Sequence, residues 1–202
     1  MKYLLLLSAI LLLNSCDDLL VRNNAAHFAL VQGQAYSAAS LVNTTIGDKE
    51  YGFVEMDLTI ATPLTVGSSF GVYLRAQSSD QYYTCVIGAD NATSKMKAMI
   101  TANLPGSNNF TGSSLVTGNT IASFTGDHVF GCELALVGTN KTIRLYLDDV
   151  LITSYVLGSN LLDIGGASTG KVGLTALTSA PVGNPPENGV VITDFKFYDV
   201  KP

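Results

Sequence analysis

Glu55 and Asp57 stand two residues apart in "EYGFVEMDLTI", residues 50–60, a stretch that alternates apolar and polar side chains. Two carboxylates on adjacent same-face positions of a strand lie about 6–7 Å apart, given a rise of about 3.3 Å per residue. That lies near the lower edge of the roughly 6.5–9.5 Å that separates acid and base in inverting glycosidases. Other residues able to do chemistry are sparse. There are two histidines, His27 and His128, and His128 shares its parity with Phe130, Cys132 and Leu134, as a structural histidine at the start of a strand would. Neither a Gly-x-Ser-x-Gly elbow nor a phosphate loop is present. The three cysteines, with no further Cys or paired His, do not make a zinc site.

The elements that must position Glu55 and Asp57 are strands. Val54, Met56, Leu58 and Ile60 form one apolar face, which puts the two carboxylates on the other. Phe130, Cys132, Leu134 and Leu136 form a second such face, and Ile143, Leu145 and Leu147 a third. Similar short runs recur to the end of the chain, among them "SFGVYLRAQ", "QYYTCVIG", "KMKAMITA", "VLITSYVL", "GKVGLTAL" and "VVITDFKFYDV". Half-buried strands separated by Gly, Asn, Asp and Ser predict an all-β antiparallel two-sheet sandwich. "VGTNKT" reads as a turn, with Gly138 and Asn140 able to take positive φ, and "LYLDDVLI" as a hairpin turning at Asp148-Asp149. Residues 103–119 and 178–189 read as long irregular loops.

Length and charge narrow the class. A chain of 202 residues, 47% hydrophobic, is enough for one well-cored all-β domain. A net charge of -5 and the absence of a basic cluster argue against a nucleic-acid partner. No internal repeat is visible.

The first residues belong to targeting. In "MKYLLLLSAILLLNSC" a lysine precedes an apolar run too short to span a bilayer, which fits the core of a signal peptide. "LNSC" resembles the bacterial lipobox, which implies a signal peptide over 1–15 and a lipidated Cys16 at the head of a short tether, 16–26. The protein is then expected to be exported and anchored to a membrane through that lipid, on the periplasmic or cell-surface side. Cys85 and Cys132 remain. An exported protein can carry a disulfide, but their spacing does not make their strands neighbours, and two separate buried thiols are the favoured reading.

The order of segments from "YGFVEMDL" through "GVYLRAQSSDQYYTCVI", "HVFGCELALVGTNKTIRLYLDDVLI" and "GKVGLTAL" to "DFKFYDV" resembles the concanavalin A-like lectin/glucanase superfamily, over residues 27–202. The resemblance implies a jelly roll of two antiparallel sheets. Members include glycan-binding modules, laminin-G-like adhesion domains and polysaccharide-degrading enzymes, so the fold does not decide the function. Glycosidases of the superfamily are similar at a strand reading Glu-x-Asp-x-x-Glu, or one residue shorter. Here Ile60 and Thr59 fill the two positions of the last carboxylate, so the proton donor is missing. "YGFVEMDL" better resembles the strand preceding the catalytic one, and Glu55 and Asp57 are read as the solvated side of a sheet rather than a catalytic pair.

A binding surface is the alternative to catalysis. If Val72 and Leu74 face the core, Tyr73 and Arg75 face away from it; Arg144, Tyr146 and Asp148 likewise oppose Ile143, Leu145 and Leu147. Tyrosine faces flanked by charged groups suit sugar rings, which present apolar C–H faces and a fringe of hydroxyls. Tyr82 or Tyr83 is a further candidate, with parity unable to choose. The resemblance also implies calcium, held by loop carboxylates and carbonyls. Asp48, Asp90 and the Asp148-Asp149 turn are the candidates, but no run supplies the about six to eight oxygens calcium takes, and no residue is assigned to it. The expectation is a non-catalytic module that binds carbohydrate or another surface ligand without a required cofactor. The alternatives are a structural or adhesive module that contacts a protein and a polysaccharide hydrolase or lyase with an unfamiliar site.

Overall fold

In the computed structural model, residues 26–27, 41–43, 48–61, 63–64, 69–78, 81–89, 95–103, 113–157, 169–177 and 190–202 are described. They form twelve strands in two six-stranded antiparallel sheets. The strands are β1 (Ala26–His27), β2 (Leu41–Asn43), β3 (Gly52–Ile60), β4 (Ser69–Ser78), β5 (Gln81–Ala89) and β6 (Met96–Asn103). After them come β7 (Ser113–Ile121), β8 (Gly126–Val137), β9 (Asn140–Leu147), β10 (Val150–Val156), β11 (Lys171–Leu177) and β12 (Val190–Tyr198). The first sheet runs β1-β12-β3-β8-β9-β10 and the second β2-β11-β4-β5-β6-β7. The lipobox, Cys16 and the 178–189 loop lie outside the described residues, as do residues 104–112 of the 103–119 stretch. The rest of that stretch is not loop, because β7 runs from Ser113 to Ile121 and pairs with β6.

The alternation of β3 does what the sequence expects. Val54, Met56, Leu58 and Ile60 are at most 1% exposed, while Glu55, Asp57 and Thr59 are half-buried on the opposite face. The core between the sheets is built the same way, from Phe70, Val72, Leu74, Tyr83, Cys85 and Ile87 on one side and Phe130, Cys132, Leu134, Ile143 and Leu145 on the other. Tyr83 therefore belongs to the core and Tyr82 to the outer side of the second sheet. Leu136 shares the parity of the core residues but is 54% exposed, because β8 extends there to its hairpin end.

Two-residue turns fix the register of β8, β9 and β10. Gly138-Thr139 joins Val137 to Asn140, with Gly138 at φ 64°, so the glycine alone takes the left-handed position and Asn140 is already strand. Asp148-Asp149 joins Leu147 to Val150, both at positive φ (51° and 62°). Such a pair of left-handed residues matches the right-handed twist of the strands, and Asp tolerates that conformation better than most side chains.

The sulfurs overturn the reading of two separate thiols. Cys85 of β5 and Cys132 of β8 form a disulfide, with Cα atoms 6.0 Å apart and a sequence separation of 47. Both face the core at 0% exposure. The bond ties the two sheets together, and linear spacing could not show it because face-to-face stacking decides which strands meet. Among the described residues no helix is long and apolar enough to cross a membrane.

Candidate functional site

The five residues expected to form a binding face lie on different sheets. Tyr73 sits on the outer side of the second sheet, as parity requires, but is only 2% exposed, packed in a small cluster with Ala76 and Tyr82. Its ring meets that of Tyr82 edge-on, centroids 4.5 Å apart, and beside them the Thr84 and Thr101 hydroxyls bond each other. Arg75 does not follow Tyr73. The pairing of β4 slips against β5 after Leu74 and against β11 near Gly173, and Arg75 takes φ 52° at the slip. A β-bulge breaks the period of two. Arg75, 2% exposed, instead lines a small cavity between the sheets with Glu50, Leu74, Leu134 and Phe197. Gly170 permits this, because a Cβ there would lie 2.5 Å from the Arg75 carbonyl carbon. Glu50 is held below the usual carboxylate range by hydrogen bonds from Tyr51 and Lys141, with a smaller Coulombic contribution from Arg75.

Arg144, Tyr146 and Asp148 do share one surface, the outer face of the first sheet. Pairing across β12, β3, β8 and β9 sets Tyr198 beside Phe53, Phe53 beside Glu133, and Glu133 beside Arg144. The next row sets Lys196 beside Glu55, Glu55 beside Gly131, and Gly131 beside Tyr146. Phe53 lies over Gly131, where a Cβ would come within 2.6 Å of its ring. It meets Tyr146 edge-on at 5.9 Å and Tyr198 at 6.0 Å. Tyr146 and Arg144 both donate to Glu133 Oε2, at 2.9 and 3.2 Å. Burial pushes the Tyr146 phenol up to about 12, and the carboxylate of Glu133 adds to that shift. Residues 199–202 carry Lys201 back over this face. Its ammonium lies 4.9 Å from the Tyr146 ring centre and 5.4 Å from that of Phe53.

Below the aromatic group, Lys196 joins Glu55 Oε1 at 3.0 Å and Asp57 Oδ2 at 2.8 Å, with Asp194 at 3.5 Å. Burial alone would lower the pKa of Lys196, but the hydrogen bonds it donates to the two carboxylates outweigh it and the net shift is upward. Glu55 and Asp57 are thus joined through one ammonium into an ion-pair network, and the wet sheet face expected from sequence is a half-buried one.

Beyond Asp57 the face opens into a cleft of about 250 Å³, lined by Asp57, Leu58, Thr59, Asp127, His128, Val129, Asp148 and Thr193. Thr59 Oγ1 donates to Asp127 at 2.6 Å. Asp148 works structurally: Oδ1 accepts the Val129 N–H at 2.9 Å and Oδ2 meets His128 Nδ1 at 2.8 Å. His128 is further held by an edge contact with Phe124, in keeping with a structural histidine. For calcium, Asp48 pairs with Lys171, Asp148 is engaged as described, and Asp90 lies outside the described residues. Among the described residues no group of three or more His, Cys, Asp or Glu is placed to hold a metal ion.

Sequence reasoning missed Phe53, Glu133, Lys196, Tyr198, Asp127 and Thr59. Glu133 was within reach, because a two-residue turn at Gly138-Thr139 puts it opposite Arg144. Lys196 and Tyr198 had no such signal, since β12 meets β3 from about 140 residues away.

No family model and no curated protein matches the chain. Solved structures do. A tetrameric galectin from the ball sponge Cinachyrella sp. superposes with a TM-score of 0.51 at 11% identity, over 79% of this chain and 98% of its own. The GH43 protein BlXynB from Bacillus licheniformis gives 0.51 at 13% identity, over 75% of this chain. This chain spans 28% of the length of that second protein. At such identities the likeness is one of fold, and the fold is the concanavalin A-like jelly roll that the sequence resemblance implied.

Proposed function

We propose that the domain binds carbohydrate without catalysis, on the outer face of the first sheet, as part of an exported, lipid-anchored protein. The observation that carries this reading is the cleft beside the aromatic group. It offers hydroxyls and carboxylates on rigid strands, Thr59, Asp127 and Thr193 among them, around room for one sugar ring. A polyol is recognised by such a fringe of fixed acceptors and donors, and clefts with a few convergent polar groups are the usual form of small-molecule sites. The pairing of Glu55 and Asp57 with Lys196 speaks against a hydrolase at this face. The shared fold with a galectin is consistent with the proposal but does not decide it. The Cys85–Cys132 disulfide supports export, because such bonds persist in oxidising compartments.

A glycan array with the purified chain tests the reading. Binding is expected, weakened at least about tenfold by Asp127→Ala or Thr193→Ala, in line with the loss of one or two hydrogen bonds of about 1.5 kcal/mol. No hit across diverse polysaccharides would sink it. Mass spectrometry of Cys16 tests the anchor, and an unmodified cysteine in membrane extracts refutes it.

One feature favours the second reading, contact with a protein. The edge strand β10, "VLITSYV", has no charge, and Val150, Leu151 and Val156 are 50–61% exposed. Edges without charge or proline invite pairing. Sedimentation with Leu151→Lys separates the two, since only a protein contact there would be lost.

A further inference from the structure

We infer that the corner between Phe53 and Tyr146 is a subsite for a protonated amino sugar, occupied in the free chain by Lys201. The inference rests on the reading of this face as a glycan site and names the class of glycan. The two rings meet at 80° with centroids 5.9 Å apart, forming two walls of a box. Tyr198 backs Phe53 from 6.0 Å. The ammonium of Lys201 sits at the open corner, 4.9 Å and 5.4 Å from the two ring centres, with Asp149 Oδ1 at 3.7 Å. Two ring faces and a carboxylate are what an alkylammonium selects, because the negative faces of the rings and the anion all favour positive charge. Glu133 fixes the Tyr146 ring in place, since it accepts from the Tyr146 hydroxyl at 2.9 Å. The seated lysine is thus an internal ligand that reports the chemistry of the site.

The contact is of a kind that a ligand displaces. Asp149 is 71% exposed, and exposed ion pairs are weak. The two cation–π contacts, made to ring faces that the lysine covers, and that pair together hold the corner closed by a factor of about 5–30. Lys201 therefore competes with an incoming ammonium but does not exclude it. The same face carries Glu55, Asp57, Asp127, Glu133, Asp148, Asp149 and Asp194 against Arg144, Lys196 and Lys201, a balance that repels uronates and sulfated sugars.

The experiment compares a β-1,4-linked glucosamine tetramer, its N-acetylated counterpart and a lysine-containing peptide, by titration calorimetry on the full chain and on Lys201→Met. The expected result is a gain of about 5–30-fold for the glucosamine tetramer in Lys201→Met and little gain for the acetylated one, which has the same rings without the charge. Asp149→Asn, at an exposed turn, should then weaken the glucosamine tetramer severalfold and leave the acetylated one unchanged. Equal affinity for both tetramers in Lys201→Met, or no gain on removing the lysine, overturns the subsite and leaves the glycan reading intact. Tighter binding of the peptide than of either tetramer reassigns the corner to a protein ligand. Absence of binding to any glycan by the folded chain fails the parent reading, and the subsite falls with it.

Discussion

Replacing both Cys85 and Cys132 with alanine removes the one covalent tie between the sheets among the described residues, and the cost can be worked from the fold. The bridge closes a loop whose ends are 47 residues apart in sequence. For that length the chain-entropy relation gives about 13–14 cal/mol/K, or about 4 kcal/mol at 25 °C. Both side chains are 0% exposed, so alanine also leaves small voids, worth a further ~1 kcal/mol. The double variant should lose about 4–5 kcal/mol and melt roughly 10–20 °C lower. The chain has no tryptophan, so urea unfolding is followed by tyrosine fluorescence and circular dichroism. The m-value should rise, because the unfolded chain is no longer held in a loop and exposes more surface. A loss under about 1 kcal/mol with an unchanged m-value would refute the argument that the bridge acts through the unfolded state.

Three further outcomes are expected. Lys196→Met leaves Glu55, Asp57 and Asp194 facing one another and should cost about 1–3 kcal/mol at pH 7, less than a fully buried pair because Asp57 is 33% exposed. Because the pKa of Lys196 is raised above its ordinary 10.5, its contribution is intact at neutral pH and lost only as pH rises beyond that value, and urea titrations in which the variant loses nothing at pH 7 argue against the charge mechanism. Tyr146 should titrate near 12 in absorbance at high pH. Because its folded value lies above the ordinary 10.0, its contribution to stability is intact below pH 10 and lost as pH rises toward 12; Glu133→Gln should bring the titration down. Gly71→Ala places a Cβ 2.0 Å from the Cys85 carbonyl oxygen, a backbone atom fixed in the β4–β5 ladder. Thermal melts should show a loss at or above the roughly 1–3 kcal/mol of an overpacked site, and an unchanged melting point would refute this packing.

A period of two and short turns make the local part of the fold legible in the sequence. Alternation alone puts Val54, Met56, Leu58 and Ile60 in the core, and the residue types put a hairpin at Asp148-Asp149; both are where the structure has them. Both are local, because side-chain direction along a strand and turn geometry depend on a few neighbouring residues. The resemblance added the order of segments and hence the jelly roll. Tertiary structure decided the rest. The bulge at Arg75 turned its side chain from the expected binding face into the gap between the sheets, since one slip in register cancels parity from that point on. Stacking of the sheets brought Cys85 to Cys132. The return of β12 beside β3 set Lys196 between Glu55 and Asp57, and residues 199–202 then laid Lys201 over Phe53 and Tyr146. The two carboxylates that first suggested catalysis were legible from sequence as to their face. Their partner was not, because it arrives from about 140 residues away along a pairing that no local pattern encodes.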